Sequence, residues 1–373
     1  MTYSKTGLSI LTATMLTLAG CGGSSSSSGS NSDGSSGNEN TSLLNHSVLD
    51  VTNSDSAEYL DLDSGHTVTV TESWQMAYEK YVGFSTNAGG GIEACVAKEY
   101  EALYDDGEPV KSEFEALTIN NTEEDFNNVT LTDCADSDYI ADGVTSQFTD
   151  WYTYNFTTHV ITVNSDESNG WIVRSSTDDG NGNYSYTRLK ATAYDANGIT
   201  FDSELWDSNT ETFSAAESTD ALSAANGTTY WNMEDNTHST TEFEGWDLKI
   251  EADGHSTIIL VNGGVSGTGD AGVAGHSALQ VASVDDVNDP TVTTQVYKYF
   301  GDSASGAMSG SSEFNYGALQ YNVGGFHQMW PTFNIYLFKD GERYFKAQVI
   351  SNYGSDGTSS SGTLYVRHQE LFE

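Results

Sequence analysis

The stretch "YWNMEDNTHSTTEFEGWDL", Tyr230 to Leu248, has an echo far upstream in "YLDLDSGHTVTVTESWQMAY", Tyr59 to Tyr78. In each, an aromatic opens the segment, a polar Thr-rich stretch follows, and a Trp begins a new alternating run. From Tyr59 to Tyr230 is 171 residues and from Trp74 to Trp246 is 172. Later features keep the same order. A Gly-rich break follows each Trp, at Asn87 to Gly91 and at Asn262 to Gly272. Further on come "YNFTTH", ending at His159, and "YNVGGFH", ending at His327, which lie 168 residues apart. A strand, a turn and a second strand ending in Tyr come next, as "WIVRSSTDDGNGNYSYTRLKATAY" and "IYLFKDGERYFKAQVISNY". Each series closes on Gly and a β run, "GITF" and "GTLY". The spacings drift only by loop-sized amounts, so the sequence predicts one unit duplicated.

Period-2 alternation, aromatic enrichment and frequent turn residues make the expected fold all-β and mostly antiparallel. The chain carries 21 Tyr and 7 Trp but only 3 Pro, which favours strands. "KDGERYFKAQV" reads as a hairpin turning at Asp340-Gly341. Only "ACVAKEYEALYD" looks helical.

The first twenty residues read as a lipoprotein signal peptide. Lys5 precedes the short apolar run "GLSILTATMLTLAG"; at about 14 residues it falls short of the ~20 that span a bilayer. Leu18-Ala19-Gly20-Cys21 matches the bacterial lipobox, which makes Cys21 the lipidated residue, and Gly22 fits sorting to the outer membrane. Residues 21–56, mostly Ser, Gly, Asn and Asp, read as a flexible tether reaching roughly 30 Å. Two domains are then expected, 57–217 and 218–373. The remaining pair of cysteines, Cys95 and Cys134, is expected to form one disulfide in an exported chain. A net charge of −41 argues against nucleic acid and anionic lipid as partners.

The aromatic opener, "GWDLKI", "VNGG" and "KDGERYFKAQVISNY", taken in order, resemble the HmuY haem-binding surface lipoproteins, with one copy in each half over roughly 57–373. The resemblance implies a β-rich, lipid-anchored protein that sequesters haem, or a related tetrapyrrole, for an outer-membrane transporter. It also implies iron held axially by His, and in some members Met, from loops at one end of the β-structure. The family's second axial position matches His159 and His327. Its first position has no His in either copy; the nearest upstream are His66, and His276 at 51 residues before His327. Ligation by one His plus Met, Tyr or water is therefore expected, with Met308, Met329 and His276 as further candidates. A site shared by His159 and His327 is the variant. His46, His66, His238, His255 and His368 read as surface residues.

Other motifs carry less. "GTGDAG", Gly267 to Gly272, fits G-x-G-x-x-G but lacks a following helix. "DDGNGN" at 178–183 offers surface calcium some oxygens, but Lys190 stands where a calcium loop needs Glu. No G-x-S-x-G, H-E-x-x-H or paired carboxylates nominate an enzyme. The leading expectation is a haem-capturing surface protein. The rivals are an adhesion or assembly module of the same fold without cofactor, and a secreted polymer hydrolase.

Overall fold

The computed structural model describes residues 43–53, 56–165, 167–222, 227–252, 256–310 and 315–372. The expected signal peptide, Cys21 and most of the expected tether lie outside them, as does His255. The protein is all-β, with 45% of residues in strands against 11% in helices, and the strand pairs are antiparallel throughout.

Both opening stretches fold into the same four-stranded meander. In the first, the strands run in the order His66–Val68, Glu58–Asp61, Met76–Glu79, Gly83–Ser85. In the second they run Thr237–Ser239, Gly227–Asn232, Leu248–Ala252, Thr257–Val261. The opener packs on the Trp in each case, with ring centroids 4.9 Å apart for Tyr59 and Trp74 and 5.3 Å for Tyr230 and Trp246.

The residue after each Trp is polar and buried. Gln75 accepts from the Leu62 N–H at 2.8 Å, and its amide donates to the Asp340 carboxylate at 2.8 Å. Asp247 accepts from the Met233 N–H at 2.9 Å and from the Ser176 N–H at 2.6 Å. Leu62 and Met233 hold the same place, three residues after their opener. The second partner is in each case a hairpin that belongs to a larger sheet. Ser176 lies where the register between Gly170–Asp178 and Tyr184–Asp195 shifts, so its N–H is released from the ladder and Asp247 takes it.

Those larger sheets do not close within 57–217 and 218–373. The five-stranded sheet runs Asn45–Asp50, Thr363–Leu371, Arg343–Ser351, Ile335–Asp340, Ile92–Lys98, joining the first and last strands of the described residues. The other large sheet runs Thr212–Phe213, Gly198–Asp207, Tyr184–Asp195, Gly170–Asp178, Gly272–Ala274. Thus the strand after the first meander pairs with a hairpin more than two hundred residues later, and the strand after the second pairs with an earlier one. The two main cores divide in the same way. One gathers Leu49, Met76, Phe84 and Ala94 with Leu319, Phe338, Phe345 and Val366. The other gathers Trp151, Trp171, Leu189 and Phe201 with Trp231, Ile250 and Val261. The expected domain boundary therefore cuts across both, and residues 41–373 form one compact unit.

Three local expectations are also corrected. Residues 45–50 form an edge strand of the five-stranded sheet, with Leu49 and Val51 in the core, so the tether ends before them. His46 is on that strand and stacks on Tyr365. "ACVAK" belongs to the strand Ile92–Lys98, because Ala94 and Cys95 face Phe338 and Leu337 in the ladder. Among the described residues the α-helices are Lys111–Ala116 and Glu123–Asn128, and the other helical turns are 3-10. The hairpin at Gly341 forms as read, pairing Asp340 with Arg343.

Two cations, Lys346 buried and Arg188 partly exposed, tie the short helical segments to the sheets. Lys346 donates to the carbonyls of Phe126 (2.7 Å) and Val129 (3.0 Å) at the end of Glu123–Asn128. Arg188 likewise donates to the carbonyls of Val284 (2.9 Å) and Val287 (2.6 Å), around the turn Val284–Asp286. A cation at a helix C-terminus satisfies carbonyls that have no partner within the helix. Burial lowers the Lys346 pKa to about 8. Cys95 and Cys134 are bonded, with Cα atoms 6.6 Å apart, and clip the helical segment onto the sheet.

His368 is fully buried rather than on the surface, with Nε2 2.9 Å from the Ser47 hydroxyl. Burial pushes its pKa down to about 4. Asp302 is also fully buried, accepting from the N–H groups of Val261 (2.8 Å) and Gln147 (3.1 Å), and burial raises it to about 6.

Three outcomes are expected. Asp247→Ala strands two buried N–H groups and should cost about 3 kcal/mol, seen as a lower urea midpoint at unchanged slope. Titration of the unfolded, unreduced protein should find no thiol from Cys95 or Cys134; the closed loop contributes roughly 3–4 kcal/mol on chain-entropy grounds. The third concerns pH. His368 has a depressed folded pKa, so its contribution is present above ~6.5 and lost as pH falls toward 4; Asp302 has a raised one, so its contribution is present below ~3.9 and lost as pH rises through 6. Urea midpoints measured from pH 4 to 7 should therefore fall less steeply on the acid side in His368→Gln, and more steeply in Asp302→Asn, than in the parent.

Candidate functional site

The two aromatic-Asn-His elements both form hairpin connections, residues 156–159 in the first and 322–328 in the second. In the first, Tyr152–Asn155 pairs with Val160–Val163, leaving Phe156 to His159 as the connection. Asn155 closes it, accepting from the N–H groups of Thr157 (2.9 Å) and Thr158 (3.1 Å) through its side chain. Its backbone carbonyl takes the His159 N–H at 2.8 Å. An Asx turn of this kind is why Asn suits the position. In the second, Leu319–Tyr321 pairs with Met329–Pro331, and the Asn322 side chain accepts the His327 N–H at 2.9 Å.

Both histidines have left-handed backbone, with φ of 57° at His159 and 54° at His327. A side chain there costs roughly 1–2 kcal/mol, which glycine would avoid. In both, the tyrosine before the Asn holds the imidazole. Tyr154 Oη lies 2.7 Å from His159 Nδ1, and Tyr321 Oη lies 2.9 Å from His327 Nδ1. With Nδ1 engaged, Nε2 is the nitrogen left to meet a partner. If Nδ1–H donates to the phenol oxygen, Nε2 carries a lone pair free to accept a hydrogen bond or coordinate a metal ion. Both histidines are exposed, and a largely exposed Phe accompanies each: Phe156, at 84%, packs edge-on to Tyr154, and the ring of Phe326, at 62%, lies 4.8 Å from Lys111 Nζ.

The other candidate ligands are elsewhere. Met308 is 1% exposed inside the first core, so burial removes it as a ligand for an iron at the exposed His327 loop. Met329 is half-buried and packs against that core. His276 is exposed at the start of the turn His276–Ala278. Among the described residues no group of three or more His, Cys, Asp or Glu could hold a metal ion. At 178–183 the acidic oxygens serve the turn: Asp178 accepts from Gly180, and Asp179 from Asn181 and Asn183. Those bonds, the Asn183 side chain first, hold Asp179 down to about 2.

A cleft of about 200 Å³ lies apart from both histidine loops, walled by Tyr59, Arg174, Thr268, Asp270 and Lys298. The Gly-rich run 263–271 forms one side and leads into the strand Gly272–Ala274, so no helix N-terminus follows "GTGDAG". The cleft was not foreseen from the sequence, although the density of glycines at 263–272 was its signal. Nor was the part of Tyr154 and Tyr321, whose place five and six residues before the His was the visible clue. No protein-family model matches the chain, and no curated protein matches it significantly.

Proposed function

We propose that this is an exported binding protein, lipid-anchored through Cys21 at the outer membrane, that captures haem or a related tetrapyrrole and passes it to an uptake system. The observation that carries the reading is the repeated loop: one exposed histidine at positive φ, its Nδ1 held by a tyrosine, with an exposed phenylalanine beside it. Backbone strain kept at matching places suits a site better than a scaffold, since glycine would relax it. The donor set fits haem iron: a neutral, oriented imidazole binds it, and an exposed aromatic ring can lie on the porphyrin. The chain's resemblance to the HmuY lipoproteins supports the same reading. The recurrence of both meanders and both loops supports descent of the two halves from one unit.

A second reading is an adhesion or assembly module without cofactor. Its support is that both histidines lie at exposed loop tips and neither lines the cleft.

Optical titration with ferric haem separates the two. The parent protein should give a shifted Soret band at micromolar haem. His159→Gly and His327→Gly should leave thermal stability equal or higher, because glycine relieves the left-handed backbone. Each change should weaken haem binding at least tenfold where that histidine ligates, about 1.4 kcal/mol. If the two share one iron, the double change adds little to either single one. A parent protein without a shifted band leaves the adhesion reading standing.

A further inference from the structure

We infer that the glycine-walled cleft is a second binding site, for a small acidic ligand of about monosaccharide size that presents a carboxylate or other oxyanion. The cleft lies where the first meander, the strand Gly170–Asp178 and the loop 263–271 meet. Arg174 is built into it. Its Nε and Nη2 both donate to the Asp270 carbonyl, at 3.0 and 2.7 Å, and its guanidinium lies 4.7 Å from the Tyr184 ring and 5.7 Å from the Tyr299 ring. A carbonyl and two ring faces fix the group in place without cancelling its charge. Its Nη1 has no hydrogen-bond partner among the described residues. Lys298, the second cation on the cleft, sits 4.3 Å from the Tyr81 ring and donates to the Lys80 carbonyl at 3.2 Å.

The loop adds donors. Asn262 folds it back, accepting the Gly269 N–H at 3.0 Å, while Asp270 N–H donates to Ser176 and Ala271 N–H to Asn262. A Cβ at Gly267 would lie 2.1 Å from Asn262 Oδ1, so only glycine permits the fold there. The N–H groups of Gly267 and Thr268 have no partner among the described residues, and both residues line the cleft. Unspent donors from a guanidinium and two amides suit an acceptor-rich group. The carboxylate of Asp270, which also borders the cleft, is engaged by the Tyr184 hydroxyl at 2.8 Å. Charge is at least not against it. The chain holds 13 Lys and Arg against 54 Asp and Glu, whereas the cleft is lined by two cations, Arg174 and Lys298, and two carboxylates, Glu79 and Asp270, so its charges balance and an anion meets less repulsion here than over most of the surface.

Calorimetric titration of the whole protein at low salt with D-glucuronate, D-glucose, sulfate and phosphate tests this. Glucuronate should bind at millimolar concentration or tighter, glucose at least tenfold more weakly, and added salt should weaken binding. Arg174→Met and Lys298→Met should each lower glucuronate affinity several-fold while the thermal midpoint confirms folding. Binding of sulfate or phosphate alone supports the oxyanion site and assigns it to inorganic anions. Equal binding of glucose and glucuronate, no binding of any probe at about 10 mM, or full affinity in both folded variants overturns it. The haem titration is unaffected by either result, since no histidine lines the cleft.

Discussion

The side chain that follows each tryptophan holds the architecture together. Gln75 and Asp247 sit on the inner side of their meanders, each accepting an N–H from the chain just after the first strand. Each also reaches a hairpin of a larger sheet, at Asp340 or at Ser176. A buried polar group has to find partners, and these find them on two elements far apart in sequence. The pins therefore couple local folding of a meander to its long-range docking. Asp247 meets a cost that Gln75 does not, because burial raises its pKa. Two backbone donors compensate it.

Docking follows a crossed plan. The first meander and its following strand work with the C-terminal hairpin, and the second works with the hairpin that precedes it. The hairpins pair locally, but the edges that join them into the two large sheets rest on contacts distant in the chain, so closing those loops adds to the entropy that folding must offset. The Cys95–Cys134 bond and the carbonyl-bound cations Lys346 and Arg188 fasten the irregular segments that such crossings leave behind.

On this frame the chemistry-bearing groups stand at two kinds of place. The histidine loops are exposed hairpin tips whose conformation their own Asn and Tyr determine. The cleft is an inner angle between sheets, where glycines let backbone approach backbone. A strongly acidic surface keeps the remainder soluble and leaves the few cations conspicuous.

Strand periodicity, the Asp340-Gly341 turn and the recurrence of opener, Trp, Gly-rich break and His were legible in the sequence, because each is a local pattern with a local cause. So was the cysteine pair, by elimination. The domain boundary was not legible, because alternation says that a strand pairs but not with which partner. Nothing in the local pattern of Ile92–Lys98 names Ile335–Asp340 as its partner, where Cys95 and Ala94 meet Leu337 and Phe338. Helical spacing misled at "ACVAKEY" for the same reason. His368 looked like a surface residue until Ser47 and the sheet closed over it, and Met308 like a ligand until the core took it. The sequence by itself determined the strands, the turns and the two histidine loops, since these depend on neighbours a few residues away. Tertiary structure alone decided which strands meet, which side chains are buried and where Arg174 and Lys298 converge, since those depend on loops closing over long separations.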